Sequence, residues 1–140
     1  MSVSTAVIRF GVCLITLAIP FSQPTAAGQN PTQASSDDQQ FEASVRPILA
    51  THCYDCHTVD TPGMLRLDSR EGMLKGGKSG PAIVPGDADA SRLIKAIRHS
   101  SGVLPMPMQR PKLSDAEVAT LAAWVQAGAK WPATSAAAPA

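Results

Sequence analysis

The amino-acid sequence predicts an all-α domain, and three observations indicate that class. Apolar residues recur at helical spacing in three segments, around residues 41–49, 93–97 and 118–125. No segment alternates apolar and polar residues as a half-buried strand does. Many of the 12 prolines and 10 glycines lie between the helical segments. We therefore expect three main helices joined by long loops.

The first main helix is expected to begin at Asp37 or Asp38, because either side chain can cap its N-terminus. Its buried face consists of Phe41, Val45, Ile48 and Leu49. Pro47 lies inside this run, and proline removes one intrahelical hydrogen bond. We therefore expect the regular helix to kink or end near Pro47, just before Cys53.

Two helices are expected in the middle of the chain. Ser69 can cap a short helix over residues 70–75, and Asp87 or Asp89 can start a longer one. The longer helix would bury Leu93, Ile94 and Ile97. The loops on either side of it are rich in glycine and proline, and loops of this length in compact domains often carry function.

The last main helix has the clearest sequence signals. Ser114 and Glu117 have the spacing of a capping box, and Gly128 lies where a glycine commonly ends a helix. The buried face consists of Val118, Leu121, Ala122 and Val125. Trp124 lies at the edge of this face, so we expect it to belong to the core.

The first 27 residues have the pattern of a secretory signal peptide. Arg9 is the only charge before Asp37, and an apolar run from Phe10 to Phe21 follows it. This run is shorter than the roughly 20 residues that a membrane-spanning helix needs. We expect cleavage near Ala27, export to the periplasm or beyond, and no remaining transmembrane span. An uncleaved membrane anchor is the alternative.

The rest of the chain is expected to form one domain. We assign residues 28–36 to a disordered leader, residues 37–132 to the domain and residues 133–140 to a flexible tail. The 12 Lys and Arg residues nearly balance the 11 Asp and Glu residues. This balance offers no basic surface for a phosphate backbone, so nucleic acid is not an expected partner.

The chemistry is expected to lie in the C-x-x-C-H motif at residues 53–57. Cleavage of the signal peptide would remove Cys13 and leave Cys53 and Cys56 as the cysteines of the mature chain. At this spacing, two cysteines can form thioethers with both vinyl-bearing edges of one porphyrin. His57 is then placed to bind the iron as its proximal ligand. The motif therefore predicts one covalent haem c, with the helices and loops arranged around it.

Other chemistries use similar cysteine spacings. Cys53 and Cys56 could form a disulfide, and a thioredoxin-like redox pair would need a βαβ pattern that this sequence lacks. A structural zinc site would need two further ligands, for which His52 and His99 are the candidates. Haem c is favoured because the signal peptide, the all-α pattern and the 4% aromatic content agree with it.

A methionine is expected as the second axial ligand, because thioether sulfur favours ferrous iron and suits electron transfer. Met106 and Met108 lie in a loop that prolines stiffen, and their spacing alone does not choose between them. Met64 and Met73 are expected to be ordinary core or surface residues. His99 is the other candidate for the distal position.

The surroundings of the haem are predicted in outline. The apolar faces of the three main helices are expected to pack on it, with Trp124 against its edge. Whether a backbone carbonyl orients the ring of His57 is open at the level of sequence. Pro62, Gly80 and Pro81 are the candidates for that carbonyl.

Several motifs between Phe41 and Pro132 together resemble the planctomycete-type cytochrome c domain, within the class I-like cytochromes c. They are Val45–Leu49, Cys53–His57, Leu65–Arg70, Gly76–Asp87, Met106–Pro107, Leu113–Asp115 and Trp124–Gly128. The resemblance implies an electron carrier of the bacterial cell envelope rather than an enzyme, with redox proteins as partners. It also implies His57 as the proximal ligand and Met106 as the distal one. The family usually has Met-Pro-Pro where this chain has Met106-Pro107-Met108.

Two other functions remain open at the level of sequence. A haem sensor or weak peroxidase would need an open distal site and a polar group such as Arg98 or His99. Alternatively, the chain could be an electron-transfer domain of a larger, truncated protein, because in the family this domain often precedes larger domains. The sequence does not indicate the electron donor, the acceptor, the reduction potential or the oligomeric state.

Overall fold

The described part of the molecule is helical. The computed structural model describes residues 31–58 and 62–133, with side chains described from residue 36. Its helical elements are α1 (Pro31–Gln40), a π-helical turn (Phe41–Val45), α2 (Arg46–His52), α3 (Tyr54–His57), a 3₁₀ turn (Pro62–Met64), α4 (Arg70–Lys75), α5 (Arg92–Arg98) and α6 (Asp115–Gln126). Within these ranges, β pairing is limited to isolated bridges, so the all-α prediction is confirmed.

Two predictions fall wholly or largely outside the described residues. The predicted signal peptide, residues 1–27, lies outside them, as does all but the first residue of the predicted tail. Across the described ranges, no helix combines the length and the apolar content that crossing a bilayer requires. Export and cleavage near Ala27 therefore remain predictions.

The first helical segment starts earlier than the sequence predicted and is interrupted where the sequence predicted. Helix α1 begins at Pro31, ahead of Asp37, so residues 31–36 of the predicted leader are helical. Pro47 lies in the first turn of α2, where a missing backbone N–H is tolerated. The π-helical turn directly before α2 is the interruption of the regular helix that Pro47 indicated.

An aromatic cluster joins this segment to the end of the chain. The Phe41 ring centroid lies 5.8 Å from that of Trp124 and 4.5 Å from that of Trp131. The Arg46 guanidinium lies 5.1 Å from the Phe41 centroid and 5.5 Å from the Trp131 centroid, which is cation–π geometry. The Trp124 indole N–H donates to the Lys130 carbonyl at 2.8 Å. Trp124 is therefore a core residue, as predicted.

Helix α6 has the predicted boundaries. Ser114 accepts a hydrogen bond from the Glu117 backbone N–H, and the Glu117 side chain accepts one from the Ser114 backbone N–H, which completes the capping box. Helix α6 ends at Gln126, and Gly128 follows with a positive φ of 99°. The ends of this helix are thus set by local hydrogen bonds that the sequence pattern specifies.

The start of α5 differs from the prediction. The helix begins at Arg92, after Ser91, and not at Asp87 or Asp89. Asp87 instead accepts a hydrogen bond from the Ala90 N–H at 2.8 Å, which closes a turn before the helix. Ser91 is fully buried, and its hydroxyl donates to the Asp87 carbonyl at 2.7 Å. Asp87 therefore stabilises the turn before α5 and does not cap the helix.

Candidate haem site

One cavity of about 360 Å³ brings the predicted site residues together. Its walls include Cys53, Cys56 and His57 from the C-x-x-C-H motif, and Met106 and Met108 from the proline-rich loop. Its volume lies within the range of roughly 300–1,000 Å³ that is common for ligand and cofactor pockets. We call residues 53–67 the attachment segment and residues 103–110 the methionine loop.

The two cysteines of the motif have different environments. Cys53 is buried, and its backbone N–H donates to the Leu49 carbonyl at 2.9 Å, which continues the ladder of α2. Burial raises the pKa of the Cys53 thiol to about 12, and the neighbouring Cys56 adds to the shift. Cys56 is exposed. Both are free thiols in the structure, so the disulfide alternative gains no support.

The zinc alternative also gains no support. Among residues 31–58 and 62–133, no three His, Cys, Asp or Glu side chains come together as a metal site. His52, one of the proposed zinc ligands, has its Nε2 3.0 Å from Oε1 of Glu117. The same Glu117 belongs to the capping box, and hydrogen bonds from Ser114 and then from His52 lower the pKa of its carboxyl. His52 therefore links α2 to the start of α6.

His57 is held in an orientation that suits a metal ligand. His57 is 8% exposed, and its Nδ1 lies 3.0 Å from the Leu65 carbonyl oxygen. Because a carbonyl only accepts, Nδ1 carries the proton and donates, which leaves the Nε2 lone pair of the neutral ring for a ligand. The orienting carbonyl is thus that of Leu65, and the three candidates Pro62, Gly80 and Pro81 were wrong.

The chain folds back on itself to bring Leu65 to His57. The Leu67 N–H donates to the His57 carbonyl at 2.9 Å, and the Lys78 N–H donates to the Gly63 carbonyl at 2.8 Å. Gly77 packs directly against the backbone of Gly63, because a Cβ atom added to Gly77 would lie 2.4 Å from the Gly63 carbonyl oxygen. The glycine-rich loop therefore supports the segment that orients His57, and the Gly-Gly pair in the sequence was the only signal of this contact.

The methionine loop is attached to the C-terminal end of α5. The Met106 N–H donates to the Ala96 carbonyl at 3.1 Å, and Nε2 of His99 lies 3.1 Å from the Met106 carbonyl oxygen. His99 adopts a left-handed conformation with φ 60° as it ends α5. The peptide bond between Met106 and Pro107 is cis. Hydrogen bonds thus fix the backbone of Met106 on both sides, and they engage the ring nitrogen of His99.

The two methionines of the loop differ in exposure. Met106 is half-buried, whereas Met108 is 54% exposed. Of the other two methionines, Met73 is fully buried in the core and Met64 is 70% exposed. Met73 is thus a core residue and Met64 a surface residue, in line with the sequence analysis.

Only one of the three main helices contributes its apolar face to the cavity. Leu93, Ala96 and Ile97 of α5 contribute to its wall. The apolar faces of the first and last main helices do not, because they are buried against each other and around the Phe41 ring. Trp124 is also absent from the wall, so its expected place against the haem edge is corrected. Loops supply most of the remaining surface.

Comparison with protein families finds that part of the chain is similar to a family of cytochromes c. A family model described as Planctomycete cytochrome C matches residues 53–109. The match begins at the first cysteine of the C-x-x-C-H motif and extends just beyond Met108. Over these residues the chain is therefore similar to the planctomycete-type cytochromes c, which supports the resemblance that its motifs indicated. Comparisons with curated proteins and with solved structures gave no match.

Proposed function

We propose that the chain is an exported c-type cytochrome that carries single electrons through one covalently attached haem c. The observation that supports this most directly is the meeting of Cys53, Cys56, His57 and Met106 in one cavity. A bound haem would supply the redox chemistry, since its iron alternates between the ferric and ferrous states. The protein would then act as a carrier and not as an enzyme.

Cys53 and Cys56 would hold the haem as thioethers, and His57 would be the proximal ligand. The hydrogen bond from Nδ1 of His57 to the Leu65 carbonyl supports this role, because it fixes the tautomer and the orientation of the ring. Covalent attachment also suits a protein outside the cytoplasm, where a dissociated cofactor would be lost. Periplasmic location and redox partners of the cell envelope belong to the same proposal.

Met106 would be the distal ligand. Its backbone is hydrogen-bonded to α5 at both its N–H and its carbonyl, so the sulfur is presented from a fixed main chain. Met108 also lines the cavity, but its side chain is more exposed. A thioether opposite an imidazole favours ferrous iron and raises the reduction potential, which suits electron transfer.

The proposal is tested by intact mass and visible spectroscopy of the chain exported in a host that attaches haem c. We expect the mass of the chain from residue 28 plus one haem, and a ferric spectrum with the sulfur–iron charge-transfer band. Met106→Ala should abolish this band, whereas Met108→Ala should leave it intact.

Each of the other outcomes would overturn one part of the proposal. Haem without the band in the wild type would favour a sensor or weak peroxidase with an open or nitrogen-bound distal site. Loss of the band in Met108→Ala alone would reassign the distal ligand. A colourless product from a competent host would overturn the haem proposal, and an unshortened N-terminus would overturn cleavage near Ala27.

A further inference from the structure

The far end of the methionine loop is attached to the C-x-x-C-H motif itself. Nη2 of Arg110 donates to the Asp55 carboxylate at 2.8 Å, and Nη1 donates to the Thr51 carbonyl at 3.3 Å. Asp55 lies between Cys53 and Cys56 in the sequence. Arg110 therefore connects the end of the loop to the two short helices on either side of Cys53.

The loop is thus fixed at two places that belong to different elements. Met106 is hydrogen-bonded to the end of α5, and Arg110 is hydrogen-bonded to α2 and α3. Arg110 and Asp55 both line the cavity. The segment between these two attachments contains Met108 and Gln109, which are both exposed, and Gln109 has a positive φ of 58°.

We propose that Arg110 and Asp55 form a latch that keeps the methionine loop closed over the cofactor cavity, so that Arg110 is a positioning residue for Met106. The inference rests on the proposed function, because it concerns the loop that carries the distal ligand. The latch is an ion pair between a guanidinium and a carboxylate that lie more than 50 residues apart in the sequence. Releasing it would free one end of the loop while Met106 keeps its own bonds to α5.

The expected effect is limited by solvent. The side chains of Arg110 and Asp55 are 45% and 65% exposed, and ion pairs of this exposure contribute little to folding. The latch should therefore change how often the loop opens and leave the fold intact. It should also weaken with ionic strength, because salt screens exposed charges.

The chain offers a matched control. Arg98 and Asp89 form an ion pair of the same chemistry at 2.6 Å, with side chains 41% and 86% exposed. Neither residue lines the cavity. Removing this pair changes the charge and the surface contacts in the same way, without releasing the methionine loop.

The experiment measures how fast carbon monoxide binds to the reduced, haem-loaded protein, since binding requires the distal methionine to leave. We expect Arg110→Gln and Asp55→Asn to keep the sulfur–iron band and to bind carbon monoxide about two- to fivefold faster at low salt, the range that corresponds to the loss of one exposed ion pair. The difference should shrink at high salt. Arg98→Gln should bind at the wild-type rate, and the exchange of charges in Asp55→Arg/Arg110→Asp should return the rate toward that of the wild type.

Two kinds of result overturn the latch. If the band is present and Arg110→Gln binds carbon monoxide at the wild-type rate, or no faster than Arg98→Gln, the ion pair does not hold the loop. If the wild type lacks haem or the band, the proposed function fails and the latch fails with it. The two failures are distinguished by the wild-type spectrum alone.

Discussion

The attachment segment and the methionine loop contribute to the same cavity, but they are built in different ways. In the attachment segment, Cys53, His57 and Leu67 are buried, and backbone hydrogen bonds tie the chain to α2 and back onto itself. In the methionine loop, Leu104 and Met108 are 60% and 54% exposed, and a few hydrogen bonds at Met106 and Arg110 attach it to the molecule.

The two regions therefore differ in what holds them in place and in what a mutation there should change. Part of the segment that would bond covalently to the haem, including Cys53 and Leu67, belongs to the hydrophobic core, so the geometry of that part is stabilised together with the fold. The loop that would supply the distal ligand is held by polar contacts near solvent, which contribute less and open more readily. We therefore expect changes in the attachment segment to affect folding, and changes in the methionine loop to affect ligand exchange.

The largest expected effect is on cysteine reactivity in protein made without haem attachment. The raised pKa of Cys53, about 12 against an ordinary 9.0, lowers its thiolate fraction at pH 8, and only part of this loss is regained through the greater nucleophilicity of a more basic thiol. Cys53 should be alkylated about 30- to 100-fold more slowly in the folded chain than in the chain in denaturant, as measured by peptide mass spectrometry. Equal rates in the two conditions would show that the attachment segment is not preformed.

The next largest effect is on stability. Leu49, whose carbonyl accepts from Cys53, is fully buried, so Leu49→Ala should lower the free energy of unfolding by about 2–5 kcal/mol. Leu104→Ala in the exposed methionine loop removes the same atoms and should cost less than about 0.5 kcal/mol. Urea titration of the purified protein measures both. Similar costs would contradict the contrast between the two regions.

The smallest of the three effects concerns the capping box at the start of α6, whose Glu117 also contacts His52 of α2. Ser114→Ala removes the side-chain cap of α6 and should cost about 1 kcal/mol at pH 7, whereas Ser101→Ala in an exposed turn should cost less than about 0.5 kcal/mol. Hydrogen bonds from Ser114 and His52 lower the pKa of Glu117 from 4.5. A lowered carboxyl pKa stabilises the fold above the unfolded pKa, and this stabilisation is lost as the pH falls through the folded value.

The wild type and Ser114→Ala should therefore differ by a constant amount above about pH 5.5 and by less below about pH 4.5. Thermal unfolding across this pH range provides the measurement. A difference that stays constant down to pH 3 would show that Glu117 does not contribute through its charge. Glu117→Gln is the matching variant, and its loss of stability relative to the wild type should be largest above about pH 5.5 and should shrink below about pH 4.5, because glutamine has no titrating carboxylate.

The parts of the fold that depend on neighbouring residues were predictable. The capping box of Ser114 and Glu117, the cap of α4 by Ser69 and the interruption before Pro47 all appear where the sequence placed them. Each depends on atoms within four residues of one another, so the local pattern contains the whole interaction. The start of α5 was missed because two local uses of Asp87, as a helix cap and as a turn, have the same sequence signal.

The candidate site divides in the same way. By itself, the sequence determined the all-α class, the C-x-x-C-H motif and the two candidate methionines, because spacing and residue type within short segments specify them. Only the tertiary structure decided that Leu65 orients His57, that α5 alone of the main helices contributes its apolar face to the cavity, and that Arg110 reaches Asp55. The last two depend on elements far apart in the chain, and the carbonyl of Leu65 is a backbone group that every residue has. No sequence pattern marks such contacts, so the packing of the whole domain selects them.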